Sequence, residues 1–120
     1  MLNLCEINEK SATMHSKYKQ NEMIAPVIEY ITRNLSKSMS VEEIAKANHI
    51  STSSLAHLFK KEMNIPIYQY IIKKRLILAH RKISDGELAS TAAIECGFND
   101  YSGFYKQYKK LFNCSPSERR

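Results

Sequence analysis

The sequence predicts an all-α protein, built from two tandem helix-turn-helix subdomains that a long linker helix joins, with about seven helices in total. Two observations predict this architecture. Apolar residues recur at spacings of three and four along most of the chain, which is the period of a helix with one buried face. In addition, LAHLFKKEMN at 55–64 resembles FYKQYKKLFN at 104–113, which indicates that one helical unit occurs twice.

The composition limits the class of protein. Of the 120 residues, 43% are hydrophobic and 25% are charged, which is the balance of a folded domain. No apolar run reaches the roughly eighteen residues of a membrane span, and the first residues lack a signal-peptide pattern. We therefore expect a cytoplasmic protein with no membrane partner. The three cysteines have no CxxC spacing, so we expect reduced thiols and no metal site.

The net charge of +6 lies entirely in the second half of the chain. Residues 60–120 hold twelve Lys/Arg against six Asp/Glu, whereas residues 1–59 hold six of each. Such a one-sided excess suits a polyanion such as DNA, RNA or an anionic membrane surface. The alternative is a solvated face that only aids solubility, and the charge alone favours that alternative.

The first half of the chain predicts a leader and then one helix-turn-helix subdomain. Residues 1–20 are polar and lack a helical stripe, so we expect a flexible leader or interdomain linker. The subdomain is predicted at 21–66, with a capping box from Ser40 to Glu43, a new helix after Ser51 or Thr52, and a helix end at Asn64. Its first helix carries the apolar stripe Ile24, Val27, Ile28, Ile31 and Leu35.

A linker helix is predicted at 67–85 and a second subdomain at 86–120. Gly97 is expected to take a positive φ in the second turn, and Asp100 to cap the last helix. Phe98 is expected in the core. The linker helix carries the predicted apolar stripe Tyr68, Ile72, Leu76, Ala79 and Ile83.

The two units match residue by residue. Leu55 and Phe104, like Asn64 and Asn113, stand 49 positions apart, whereas the short helices match at 48. One extra residue in the second turn explains the change. A single recognition helix contacts only a few base pairs, and dimers usually supply a second one about 34 Å away. A linker helix of about 25 Å lets one chain hold both helices on one face of the duplex, and a rigid spacer suits asymmetric sites.

At this point the sequence resembles a known family. Residues 23–116 are similar to the DNA-binding domain of AraC/XylS-type bacterial transcriptional regulators. The resemblance rests on the run Ser51 to Lys61, on Arg75-Leu76 and Ala79 in the linker helix, and above all on GFNDYSGFYKQYKKLFNCSP. Asparagine stands at 64 and 113 where glycine is usual, and it is the next best residue for a left-handed helix end.

The resemblance implies a bacterial regulator that binds double-stranded promoter DNA without a cofactor, with RNA polymerase as a further candidate partner. It binds as a monomer, or as a dimer through an N-terminal domain that this chain lacks. The implied phosphate contacts are Lys60, Lys61, Lys73, Lys74, Arg75, Lys109 and Lys110. The implied base-facing residues are Thr52, Ser53, Ala56 and His57 in the first recognition helix and Tyr101, Ser102, Tyr105 and Lys106 in the second. Among them only Lys106 has a sharp base preference, for guanine.

Several alternatives stay open at the level of sequence. Arg75 is equally suited to an ion pair with a glutamate inside the fold, and one of Tyr101 and Tyr105 is expected to cover the core. Cys96 is interpreted as an inert buried thiol. No phosphate-binding loop or catalytic triad pattern occurs, so we expect no enzyme and no catalytic residue. The rival function is a basic helical module that binds an acidic protein, which a weaker dependence of binding on salt would reveal.

Overall fold

The computed structural model describes residues 22–116, and this part of the chain is entirely helical between its turns. The all-α class is confirmed, with six helices in these residues where about seven were expected for the chain. The leader or linker predicted at 1–20 lies outside the described residues. The helices are α1 Ile24–Arg33, α2 Val41–Ala47, α3 Thr52–Met63, α4 Ile67–Ser84, α5 Ala89–Glu95 and α6 Tyr101–Phe112.

The predicted helix ends are confirmed by their hydrogen bonds. Ser40 and Glu43 form the reciprocal capping box, in which each side chain accepts a hydrogen bond from the other's backbone N–H at 3.1 Å. The helix α3 ends at Asn64, which has a left-handed φ of 62°. No helix in residues 22–116 is long and apolar enough to cross a lipid bilayer.

The buried side chains form two clusters that share α4. The first unit, α1 to α3, packs on the start of α4, and the second unit, α5 and α6, packs on its end. The first cluster consists of Ile24, Val27, Ile31, Ile44, Ala45, Leu55, Phe59, Ile67 and Ile71. The second cluster consists of Leu76, Ala79, Ile83, Ala92, Ala93, Cys96, Phe104 and Tyr108. Because the 18 residues of α4 form one unbroken helix of about 27 Å, they hold the two units apart at a set distance.

The stripe predicted along α4 is right at its end and wrong at its start. Tyr68 is 64% exposed, whereas Ile67 and Ile71 are buried. At 100° per residue, Ile67 and Ile71 point roughly 130° away from the direction of Leu76 and its buried neighbours. One continuous stripe therefore cannot describe a helix that meets two bodies on nearly opposite sides.

The repeat extends further than the helix-turn-helix pattern. The buried residues Ile24, Val27 and Ile31 of α1 recur as Leu76, Ala79 and Ile83 of α4, each 52 positions later. The helix α4 therefore contributes the same three buried positions to the second core that α1 contributes to the first, in addition to linking the two units.

Candidate nucleic-acid interface

The helices α3 and α6 have the same construction. Ser51 caps α3 by accepting a hydrogen bond from the Ser54 N–H at 3.1 Å, and Asp100, 49 positions after Ser51, accepts one from the Gly103 N–H at 2.7 Å. Each helix then buries two side chains completely, in a pair that lies on one face of the helix. These pairs are Leu55 with Phe59 and Phe104 with Tyr108.

The turns that precede α3 and α6 also match. His49 and Gly97 have left-handed φ values of 60° and 96°. After them, the Ile50 N–H donates to the Ala45 carbonyl at 3.0 Å, and the Phe98 N–H donates to the Ala93 carbonyl at 3.0 Å. The extra residue of the second turn is Asn99, which lies between Phe98 and the cap of α6. The recognition helices thus leave their short partner helices by the same backbone turn.

The four base-facing positions predicted in α3 form an open polar surface. Thr52 and Ser53 occupy the first turn of the helix, where backbone N–H groups are free for an anion, and Ala56 and His57 follow on the next turn. All four residues are exposed. Ser54 is also exposed, but its hydroxyl accepts a hydrogen bond from the Ser51 hydroxyl at 2.9 Å and so belongs to the cap. The side chains on this surface are small, with His57 as the largest.

The matching surface of α6 carries larger side chains. Ser102 and Lys106 are exposed, Tyr101 is 41% exposed, and Tyr105 is half-buried. The Tyr101 ring lies 5.6 Å from the Phe104 ring and 6.3 Å from the Tyr105 ring. Tyr101 therefore covers part of the core, Tyr105 packs beside it, and both keep part of the ring at the surface.

The predicted phosphate-contacting lysines surround these surfaces. The pairs Lys60-Lys61 and Lys109-Lys110 lie exposed in the last turns of α3 and α6, where a positive charge also stabilises the helix dipole. Lys73 and Lys110 line one open groove of about 430 Å³ between α4 and α6. Lys74 lies over the Tyr70 ring at 5.7 Å, which directs its ammonium along α4.

Arg75 has backbone partners inside the fold. Its Nε donates to the Leu35 carbonyl at 2.9 Å, its Nη2 donates to the Lys37 carbonyl at 2.8 Å, and its Nη1 reaches the Gly97 carbonyl at 3.4 Å. Burial lowers the pKa of this guanidinium, and the nearby Cys96 acts in the opposite direction only as a thiolate. The structural alternative for Arg75 is thus supported, with carbonyl groups in place of the expected glutamate.

The basic surface is neutralised in one place. Lys82 of α4 forms ion pairs with Glu95 at 3.3 Å and with Glu87 at 3.8 Å, on the side of α4 that faces α5. This cluster ties α4 to the second unit and neutralises Lys82, while the lysines of the recognition helices and of the first half of α4 stay outside it.

Gln107 lies outside the predicted base-facing surface of α6. It is exposed next to Lys106, and it lines the same groove as Lys73 and Lys110. At 100° per residue it points at least 100° away from each of the four base-facing residues of α6. Its counterpart 49 positions earlier is Leu58, which is partly buried against the first core cluster. The equivalent positions 58 and 107 therefore both lie away from the base-facing surfaces.

The Cys96 thiol is buried in the second core cluster. Burial raises the pKa of the Cys96 thiol to about 11, which keeps it protonated and unreactive. Among residues 22–116, no group of three or more His, Cys, Asp or Glu side chains is arranged to hold a metal ion.

Comparison with known proteins agrees with this geometry. A helix-turn-helix domain family matches residues 44–120. LumQ of Photobacterium leiognathi, a probable transcriptional regulator, is 35% identical over 89 residues, or 73% of this chain and 36% of that protein. The lactose operon transcription activator of Staphylococcus xylosus is 33% identical over 101 residues, or 83% of this chain and 36% of that protein.

Solved structures show the same fold. The crystal structure of a probable AraC family transcriptional regulator from Rhodopseudomonas palustris CGA009 matches with a TM-score of 0.74 at 26% identity, over 82% of this chain and 94% of that one. This chain spans only 36% to 47% of the length of the first curated relatives that it matches. The family is one of DNA-binding regulators rather than enzymes. The chain belongs to the AraC family of helix-turn-helix transcriptional regulators and contains their DNA-binding domain.

Proposed function

We propose that this chain binds an asymmetric double-stranded promoter site by placing α3 and α6 in successive major grooves on one face of the duplex. The observation that carries the proposal is the matched construction of the two helices. Both begin at an exposed capped end, both present four exposed or half-buried residues at equivalent positions, and both end in a pair of exposed lysines.

The dimensions support two simultaneous contacts. Successive major grooves on one face lie about 34 Å apart, and α4 is about 27 Å long. The described part of the chain has a longest dimension of 43 Å, which is longer than one turn of duplex. Because both helices belong to one chain, binding needs no symmetric partner.

The proposed contacts divide into two kinds. The base-facing residues of α3 and α6 named above specify the sequence, with Lys106 donating to guanine. The lysine pairs at the ends of α3 and α6, together with Lys73 and Lys74, contact phosphates and position the domain. We assign Arg75 to the fold rather than to a phosphate, because each of its three guanidinium nitrogens already has a carbonyl partner.

Further properties of the whole protein follow from this proposal. A transcription regulator that binds a promoter acts in the bacterial cytoplasm, where the DNA is, and RNA polymerase is its natural second partner. The domain itself binds as a monomer. If the chain is part of a longer protein, dimerisation and effector sensing belong to the remaining residues, in keeping with the length of its relatives.

The test is the selection of binding sites from a pool of randomised duplexes at near-physiological salt. The expected result is two short, unlike motifs whose centres lie about one turn of duplex apart. Inserting about five base pairs between them turns the second motif to the opposite face, so the affinity should fall to that of a single motif. If nothing is enriched and binding disappears as salt rises, the chain provides only electrostatic attraction and the proposal is wrong.

A further inference from the structure

The guanidinium of Arg75 lies where the two units meet. Leu35 and Lys37, whose carbonyls accept its Nε and Nη2 hydrogen bonds, belong to the loop between α1 and α2 of the first unit. Gly97, whose carbonyl lies 3.4 Å from Nη1, belongs to the turn before α6 of the second unit. One side chain on α4 therefore contacts a loop of the first unit and the recognition turn of the second.

The Gly97 turn is closely fitted around this side chain. A Cβ added at Gly97 would lie 2.9 Å from the Arg75 Nε and 3.0 Å from the Leu35 carbonyl oxygen. Such distances are shorter than a carbon atom tolerates, so only glycine lets the second turn approach both groups. Gly97 thus has two reasons to be glycine, its left-handed φ of 96° and this contact across the two units.

We propose that Arg75 and Gly97 together fix the angle between the two helix-turn-helix units, and thereby the half-site spacing and phase that the chain accepts on DNA. In this role Arg75 is a positioning residue and does not touch DNA. The guanidinium is suited to it because its planar fork can donate in several directions at once, whereas a lysine ammonium cannot reach three carbonyls that diverge. This inference rests on the proposed bipartite binding, because it concerns only the geometry between the two half-sites.

The reason for such a contact is the shape of α4. The two units pack on nearly opposite sides of this helix, and small bending or twisting of α4 would move α3 relative to α6. A hydrogen-bonded connection halfway along the helix restrains that motion. When the two recognition helices are held at the right angle, binding of one raises the effective concentration of the other at its half-site.

The experiment compares Arg75→Lys and Arg75→Ala with the native chain on three sets of duplexes. These carry both selected motifs at the preferred spacing, both motifs with spacing changed by one or two base pairs, and a single motif. Both variants should lose about tenfold in affinity at the preferred spacing, show a flatter dependence on spacing, and bind the single motif as the native chain does. The salt dependence should not change, because no phosphate contact is removed.

Gly97→Ala gives the same test from the other side of the contact, with Gly86→Ala as its matched control. Gly86 also has a positive φ, of 106°, but nothing lies within 4 Å of an added Cβ. Both substitutions strain the backbone at the end of a short turn. Only Gly97→Ala should flatten the dependence on spacing, and this comparison holds even if the Arg75 variants fold poorly.

Three results would overturn the inference. If Arg75→Lys restores native binding while Arg75→Ala lowers the salt slope by about one, Arg75 is a phosphate contact. If the single motif weakens as much as the double one, the residue only stabilises the fold. If the native chain selects two motifs but tolerates any spacing, the bipartite function stands and no fixed angle exists.

Discussion

The core of the second unit is aromatic where that of the first is mainly aliphatic. In the second unit the ring of Phe104 lies 5.1 Å from Phe98 and 5.5 Å from Tyr108, and Tyr108 lies 4.5 Å from Phe112. His80 of α4 stacks on Phe112 at 4.5 Å and shares a hydrogen bond of 2.9 Å with the Tyr108 hydroxyl. The first unit is filled by isoleucine, valine and leucine around Phe59, which meets the Tyr70 ring at 5.1 Å.

The surfaces of the two recognition helices differ in the same direction. The residues that face outward at equivalent positions, 49 apart, are Thr52 and Tyr101, Ser53 and Ser102, Ala56 and Tyr105, and His57 and Lys106. The first surface is small and hydroxylated, and the second is aromatic and basic. The capped starts and asparagine ends are alike in both units. The two units therefore share a backbone fold that their turns and caps determine, although the residues of their cores and recognition surfaces differ.

The largest expected effects come from emptying the two cores. Phe59→Ala and Tyr108→Ala should each lower the free energy of unfolding by about 3–5 kcal/mol, because both rings are fully buried. Urea unfolding followed by far-UV circular dichroism measures this loss. If the two units unfold as one, both variants shift a single transition, whereas two separate transitions would show that α4 does not couple them.

Tyr108→Phe is the matched control for the second core. It keeps the ring and removes only the hydroxyl that pairs with His80, so it should cost about 1 kcal/mol. If Tyr108→Ala lowered the free energy of unfolding by less than about 1 kcal/mol, the aromatic cluster would not be what holds the second unit together.

The surfaces predict unequal base discrimination. Lys106→Ala should remove about 1–3 kcal/mol of preference for one base pair in the second half-site, because lysine donates to guanine O6 and N7. His57→Ala, at the equivalent position of α3, should change discrimination in the first half-site by less than about 1 kcal/mol. Competition binding with single-base variants of the selected site measures both. Equal effects at the two positions would contradict the contrast between a weakly and a strongly discriminating helix.

A difference at the ends of the short helices predicts a dependence on pH. Asn48 ends α2 with its side-chain amide on the Ile44 carbonyl at 2.8 Å, whereas the equivalent Cys96 ends α5 as a buried thiol. Burial raises the pKa of Cys96 from 9.0 to about 11, so the unfolded chain ionises first as the pH rises. Stability should be unaffected below pH 9 and should fall between about pH 9 and 11, by about 1.4 kcal/mol at pH 10.

The control for this prediction is Cys96→Ala. Lysines and tyrosines also titrate in this range, so the quantity to compare is the difference in stability between the native chain and the variant at each pH. The stability of the native chain relative to Cys96→Ala should fall by about 1.4 kcal/mol from pH 8 to pH 10. A constant difference would show that the thiolate is tolerated where the thiol lies.

The features that the sequence predicted well are local. The capping box at Ser40 and Glu43, the stop at Asn64 and the cap at Asp100 each depend on residues within one helical turn, so a short pattern contains all the information. The positions of the recognition surfaces were implied by the resemblance to the AraC/XylS family. These predictions needed no knowledge of how the two units are placed.

The features that the sequence could not predict depend on that placement. Tyr68 was assigned to the core because one stripe was drawn along α4, and the direction of the stripe changes where the second unit begins. The partners of Arg75 are carbonyl groups 40, 38 and 22 residues away. Every residue has a backbone carbonyl, so the residue types do not indicate which carbonyls accept these hydrogen bonds. In each case the missing information was where a second body of the protein lies.

The smallest expected effect concerns the turn before α3, which has a histidine where the matching turn before α6 has a glycine. His49 holds a φ of 60°, where Gly97 stands in the second unit with no side chain. Left-handed backbone costs a residue with a Cβ about 1 kcal/mol, so His49→Gly should stabilise the chain by about 0.5 kcal/mol after the greater entropy of glycine in the unfolded state is deducted. Thermal unfolding with His49→Ala as control measures it, because alanine keeps the strain and removes only the imidazole. If His49→Gly and His49→Ala change the midpoint temperature of unfolding equally, the left-handed backbone at His49 is not strained. The histidine then costs the first unit no stability relative to the glycine at the equivalent position 97.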